Sequence, residues 1–295
     1  MSDKDVDVDV FKEENTTDDA SVLVVILQCE TKVSDNNITA LKWAFSDTYF
    51  TVQVCTVDPP NKIVVSKFMT KDQYLENYYM YKVLSYASEG PYVINSQGIA
   101  EPQFWWSKIP VIIVKDSSIS HLTPNGITNK NFDDNPENKI ISGMKHRIKT
   151  ALEKAKDADL FFLCKWNDQC DKYVDVEGTD IKWSKRPTAT QAIMYTPKSR
   201  DNIINNLTKN NASYSEFLNN NIYKGKFLAT VFVPNIIDYD INLATSNNDY
   251  IKANECAPIT STSDPTNNTA AIVWVTIIIF IIIAISIIVL QNSNA

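Results

Sequence analysis

Three carboxylates and two basic segments are the residues of this chain whose types and spacing could do chemistry. Asp116 follows IPVIIV in the strand-like run 109–118, IPVIIVKDSS, and Asp168 follows DLFFLCKW with Asp171 three residues later. Runs of this kind read as strands buried on both faces, and open α/β sheets bind ligands at the carboxyl ends of their parallel strands. A carboxylate pair there offers hard oxygen ligands to Mg²⁺ or Mn²⁺, and such a cation can bridge a nucleotide diphosphate and stabilise it as a leaving group. Asp168 and Asp171 also read as polar turn residues. Residues 139–156 hold Lys139, Lys145, Arg147, Lys149, Lys154 and Lys156 against Glu153 alone. Residues 182–200 hold Lys182, Lys185, Arg186, Lys198 and Arg200 against no acid. These cations suit a diphosphate, a polyanionic glycan, or simply a solvated helix face.

Composition narrows the alternatives. Six glycines form neither a dinucleotide-binding turn nor a phosphate loop. With His121 and His146 the only histidines, a multi-histidine zinc site is not expected. The net charge of −7 gathers at the ends, because residues 1–20 carry −6 and residues 246–269 carry −2. Between them, residues 21–245 hold 24 acids against 25 bases, and no nucleic-acid motif accompanies that near-neutral balance. The five cysteines are odd in number and contain no CxxC, which suits a reduced compartment.

The elements that must position the carboxylates follow from periodicity. Residues 21–29, SVLVVILQC, form a buried-type strand, 38–49 have helical spacing, and 50–57 are strand-like again. That β-α-β opening predicts a parallel sheet. A helix is expected at 71–87, followed by a loop with Phe104, Trp105 and Trp106 that could stack on sugar rings or pack inward. Residues 142–156 give the clearest amphipathic helix, with Ser142 as cap and Met144, Ile148, Ala151, Leu152 and Ala155 as its apolar stripe. Strands at 158–166, 187–197 and 226–233 and helices at 197–208 and 214–220 complete a body of residues 21–245, with Thr196 and Pro197 as cap and first turn.

The ends carry a different message. Residues 1–20 are too charged and too poor in apolar side chains to order, and they lack the features of a secretory signal. Residues 270–290 contain no charge, and 21 residues at about 1.5 Å each cover about 30 Å, the hydrocarbon thickness of a bilayer. With residues 246–269 as linker and only 291–295 beyond, the layout is that of a single-pass, tail-anchored protein. Its body is expected on the cytosolic side of a membrane or on the surface of a particle assembled there.

The stretch 144–207 resembles the pattern of LPS-type glycosyltransferase family 25. The matching text is the helix and strand of SGMKHRIKTALEKAKDADLFFLCKWND and the later strand and helix of TATQAIMYTPKSRDNIINNL. The whole plan also looks like the poxvirus envelope proteins that join a glycosyltransferase-type domain to a C-terminal anchor and bind cell-surface glycosaminoglycan. An Ile/Asn/Lys-heavy composition agrees with a large DNA virus as source. The resemblance implies an α/β fold of GT-A type (nucleotide-diphospho-sugar transferase), a mostly parallel sheet flanked by helices, and a nucleotide-sugar donor. It implies Mn²⁺ or Mg²⁺ held by Asp168 with Asp171 or Asp116, and Lys145, Arg147 and Arg186 on the diphosphate. The family's acidic motif is reduced here to Lys165-Trp166-Asn167-Asp168, and Asp171 lies one residue beyond Asp-x-Asp spacing. A binding protein on an old catalytic scaffold, recognising glycans or partner proteins, is therefore the alternative expectation.

Overall fold

A computed structural model describes residues 21–28, 35–61, 63, 69–90, 92–94, 100–102, 104–120, 122–123, 126–127, 143–165, 173–187 and 189–239. The expected tail, linker, membrane span and last five residues lie outside them, as do His121, Ser142, Asp168 and Asp171.

The chain begins with β1 (Val22–Gln28), α1 (Asp35–Ala44), β2 (Phe50–Thr56) and α2 (Lys71–Glu89). Short strands β3 (Tyr92–Ile94) and β4 (Ala100–Pro102) pair with each other, and a 3-10 turn spans Phe104–Lys108. There follow β5 (Val111–Lys115), β6 (Ser118–Ser120), the small hairpin β7 (Leu122–Thr123) and β8 (Gly126–Ile127), and α3 (Met144–Lys154). The second half runs β9 (Leu160–Phe162), β10 (Val174–Asp175), β11 (Ile181–Ser184), β12 (Ala192–Tyr195), α4 (Pro197–Leu207), α5 (Tyr214–Tyr223), β13 (Ala229–Phe232) and β14 (Ile237–Tyr239).

Eight strands form one sheet in the order β10-β11-β13-β9-β12-β5-β1-β2. The pairs β1·β2, β1·β5 and β13·β9 are parallel, and the other four are antiparallel. The sheet is therefore mixed, where sequence led us to expect a mostly parallel one. The departure is β12, which enters between β5 and β9 against both, and β11, which opposes β13. A buried strand reads as an apolar run in either direction, so composition cannot reveal such an insertion.

The sheet is covered on both faces. Val22, Val24 and Ile26 of β1 pack with Leu41, Ala44 and Phe45 of α1 and Met144, Ile148 and Ala151 of α3. The alternate residues Leu23, Val25 and Leu27 share the other core with Met80, Val83 and Leu84 of α2, Ile203 of α4 and Phe217 of α5. Side-chain caps start α2, α4 and α5. Thr70 caps α2 in a reciprocal box, its Oγ1 accepting from Gln73 N at 3.3 Å while its own N–H donates to Gln73 Oε1 at 2.9 Å. Thr196 caps α4 as expected, with Pro197 in the first turn, and Ser213 with Glu216 boxes α5. Helix α3 departs from expectation: its cap is Gly143, with no side-chain cap bond, and begins one residue later than Ser142 would require.

Two buried polar devices tie the α2/α4/α5 layer to the sheet. Arg200 of α4 is fully buried and donates to four carbonyls, those of Ala87, Trp106, Ser107 and Ile109, at 2.5 to 3.4 Å. One guanidinium thus collects acceptors left open at the end of α2 and around the 3-10 turn. The Tyr214 hydroxyl of α5 donates to the Tyr195 hydroxyl of β12 at 2.8 Å, with both rings buried.

Burial pushes both phenols above their ordinary value of 10.0. The folded state therefore holds their protons longer than the unfolded chain, so this contribution is whole below about pH 10 and shrinks as pH rises beyond it. Tyr214→Phe is expected to cost about 1 kcal/mol at neutral pH and to flatten the loss above about pH 10. Urea melts across that range measure both, and an unchanged alkaline slope contradicts the assignment.

Candidate functional site

Within the parallel trio β2-β1-β5 the direction of connection reverses at β1. From β1 the chain crosses on the α1 face to β2 at the edge, then returns on the α2 face past β1 to β5. Right-handed crossovers in opposite directions use opposite faces, so the two helices diverge at the carboxyl ends of β1 and β5. A cleft of about 360 Å³ lies there. Residues 72, 73, 76, 79 and 80 of α2, one helical stripe, form one wall, and Leu27 and Lys115 at the ends of β1 and β5 form the other. Its surface is mainly apolar, through Leu27, Leu75, Tyr79 and Met80.

Charge sits within this apolar setting as a small network. Lys115 Nζ donates to Glu76 Oε1 at 2.8 Å and to Thr190 Oγ1 at 3.1 Å, and Thr190 Oγ1 donates to the same carboxylate oxygen at 3.1 Å. Lys115 is 17% exposed and Glu76 26%, so the pair is half-withdrawn from water yet reachable from the cleft. Sequence reasoning chose Asp116 and passed over its neighbour. Alternation along β5 sends the two side chains to opposite faces, with Lys115 on the side of Val111 and Ile113 that packs on the α2 layer.

Asp116 lies on the α1 face and is 1% exposed. Its N–H donates to Leu27 O at 3.0 Å, and its carbonyl accepts from Asn37 Nδ2 of α1 at 3.5 Å. Beyond it, β6 pairs antiparallel with β14, which joins the strand after Asp116 to the strand that carries Asp238. Asp238 is 8% exposed and its Oδ1 accepts from Asn235 Nδ2 at 2.6 Å. Asn235 also brackets Lys165, accepting from its N–H at 2.9 Å and donating to its carbonyl at 3.2 Å. Lys165 is the last described residue before 166–172, the segment that holds Asp168 and Asp171. Buried polar residues thus gather at the carboxyl end on this face: Asn37, Asp116, Ser118, Asn235 and Asp238. Sequence reasoning missed Asn235 and Asp238, whose signal was a polar pair inside the apolar stretch 231–239.

The three cations expected on a diphosphate have separate partners. Lys145 Nζ pairs with Asp47 Oδ1 at 3.0 Å and lies 5.9 Å from the Tyr49 ring centroid. The Tyr49 N–H first, and Lys145 with it, hold the Asp47 carboxyl below its ordinary value. Arg147 is 5% exposed, pairs with Asp180, donates to Pro234 O at 3.3 Å and stacks 5.6 Å from the Phe232 ring. Burial lowers its guanidinium to about 10. Arg186 stacks on Tyr223 at 4.6 Å. His146 is exposed on α3. Trp106 is buried and meets Tyr86 edge to face at 5.6 Å, which answers the tryptophan pair in favour of packing for that member. Among the described residues, no three His, Cys, Asp or Glu side chains cluster to hold a metal ion.

The Lys115–Glu76 network makes a direct prediction. In a double-mutant cycle of Lys115→Met and Glu76→Gln, urea melts are expected to give a coupling of about 1–2 kcal/mol, the double variant losing less than the sum of the singles. Additive losses would show that the pair is not a working contact. No protein-family model and no curated protein sequence matches this chain.

Proposed function

We propose that this chain is a membrane-anchored, glycosyltransferase-like protein that binds a nucleotide sugar in the cleft at the carboxyl ends of β1 and β5. The observation that carries this reading is the cleft itself, which lies where the direction of connection reverses at β1 and combines an apolar wall with one lysine. Leu27, Leu75, Tyr79 and Met80 suit the flat faces of a base, and Lys115 suits a phosphate that takes the place of Glu76. The proposed metal ligands are Asp168 with Asp171 or Asp116. Their donors are hard oxygens, which fits Mg²⁺ or Mn²⁺ and the neutralisation of a diphosphate leaving group. Residues 270–290 are the proposed anchor, leaving the body on the cytosolic or particle-surface side.

A second reading, retention on polyanionic glycans without turnover, is favoured by the exposure of Lys149, Lys154 and Lys156 on and just after α3. Lys145 and Arg147 contribute less to such a surface, since one is paired with Asp47 and the other buried against Asp180.

Binding of a panel of UDP- and GDP-sugars in Mn²⁺ separates the two readings. The expected result is saturable binding of one donor, weakened about tenfold by Lys115→Met, with transfer or hydrolysis abolished by Asp168→Ala. No binding across the panel, together with heparin retention that falls in Lys149→Ala/Lys154→Ala/Lys156→Ala, would replace the first reading by the second.

A further inference from the structure

A second concavity, of about 340 Å³, lies between α4, α5 and the chain entering β13, and shares no lining residue with the carboxyl-end cleft. Its lining contains Lys209, Lys224 and Lys226 and no carboxylate. Lys209 follows the end of α4, and Lys224 and Lys226 follow the end of α5, so each also complements a helix dipole. That use accounts for a lysine at each helix end. It does not account for three converging on one hollow with asparagines between them.

The asparagines indicate what else the ligand must carry. Asn206 Nδ2 donates to Asn202 O at 2.7 Å, Asn221 Nδ2 to Phe217 O at 2.7 Å, and Asn210 Nδ2 to Ala212 O at 3.1 Å. In each the amide nitrogen is engaged with the chain and the carbonyl oxygen is open to a donor from a ligand, with one further N–H left at Asn210 and Asn221. Sulfate has acceptors only, and phosphate or pyrophosphate at neutral pH carries few O–H groups, so these ions gain little from carbonyl oxygens. A ring bearing both hydroxyls and phosphates matches both sets, hydroxyls donating to the amides and phosphates meeting the lysines. Nucleic acid fits less well, because Phe217 and Phe227 are only 7% and 3% exposed and offer no face for base stacking. The volume is near the small end of the range of about 300–1,000 Å³ for ligand pockets, which suits one ring rather than a polymer.

We propose that this pocket binds a phosphorylated polyol, either free inositol phosphate or the same group as a lipid headgroup. The probes are inositol 1,4,5-trisphosphate, which keeps three ring hydroxyls, inorganic pyrophosphate, and phosphatidylcholine vesicles with and without phosphatidylinositol bisphosphate, each titrated against the full chain. Lys209→Gln/Lys224→Gln/Lys226→Gln is expected to weaken binding of inositol 1,4,5-trisphosphate about tenfold or more. Lys149→Gln/Lys154→Gln/Lys156→Gln, which removes the same charge elsewhere, leaves it unchanged, and pyrophosphate binds more weakly than the inositol compound. Asn206→Ala and Asn221→Ala weaken the inositol compound and not pyrophosphate. Retention on the phosphoinositide vesicles identifies the headgroup as the source, and its absence alongside binding of the free compound identifies the soluble one. The proposal is overturned by absence of saturable binding, by equal loss in the two lysine variants, or by pyrophosphate binding as tightly as the inositol compound. A nucleotide sugar is not expected to compete, so this outcome is independent of the carboxyl-end cleft.

Discussion

The parallel trio β2-β1-β5 is the constraint on which the rest of the structure depends. Val22 to Gln28 pairs residue for residue with Phe50 to Thr56 on one side, and its inner five residues pair with Val111 to Lys115 on the other. Because β1 is buried on both faces and both edges, its register fixes two strands and the faces on which α1 and α2 must lie. The reversal of direction at β1 then opens the carboxyl end between two layers of helices. The cleft is therefore a consequence of strand order, and its chemistry depends on which side chains happen to end β1 and β5.

At that end, strand alternation divides the chemistry. Lys115 turns to the α2 layer and joins Glu76 and Thr190, while Asp116 turns to the α1 layer and joins a buried band with Asn37, Ser118, Asn235 and Asp238. Burying this many polar groups costs stability unless they are hydrogen-bonded, and Asn235 meets that demand by bonding Lys165 and Asp238 at once. The same asparagine fixes the stem of the segment that carries Asp168. A core made of apolar side chains would hold the sheet together equally well. Polar residues kept at the carboxyl end, against that cost, are consistent with a ligand-binding edge.

Much of the architecture was legible in the sequence, and the reasons differ by element. The runs 21–29, 50–57 and 109–118 contain β1, β2 and β5 because strands buried on both faces need continuous Val and Ile. The α4 boundary was legible because Thr196 and Pro197 are local signals that tertiary packing rarely overrides. The direction of β12 was not legible, since pairing partners lie far away in sequence. At the carboxyl end of β5, sequence pointed to Asp116 because it follows a strand, whereas the Lys115–Glu76 contact was not legible because it spans 39 residues and two elements. The cations Lys145, Arg147 and Arg186 looked like one cluster by sequence proximity to the carboxylates, and the structure gives each a different partner.

The central claim is that the carboxyl-end cleft between β1, β5 and α2 is the ligand site. Hydrogen–deuterium exchange of the full chain, with and without a UDP- or GDP-sugar and Mn²⁺, tests it most directly. The account predicts slowed exchange concentrated in residues 71–80 and 111–118. Exchange unchanged in both segments at saturating donor, or slowed only in other parts of the sheet and its helices, would contradict it.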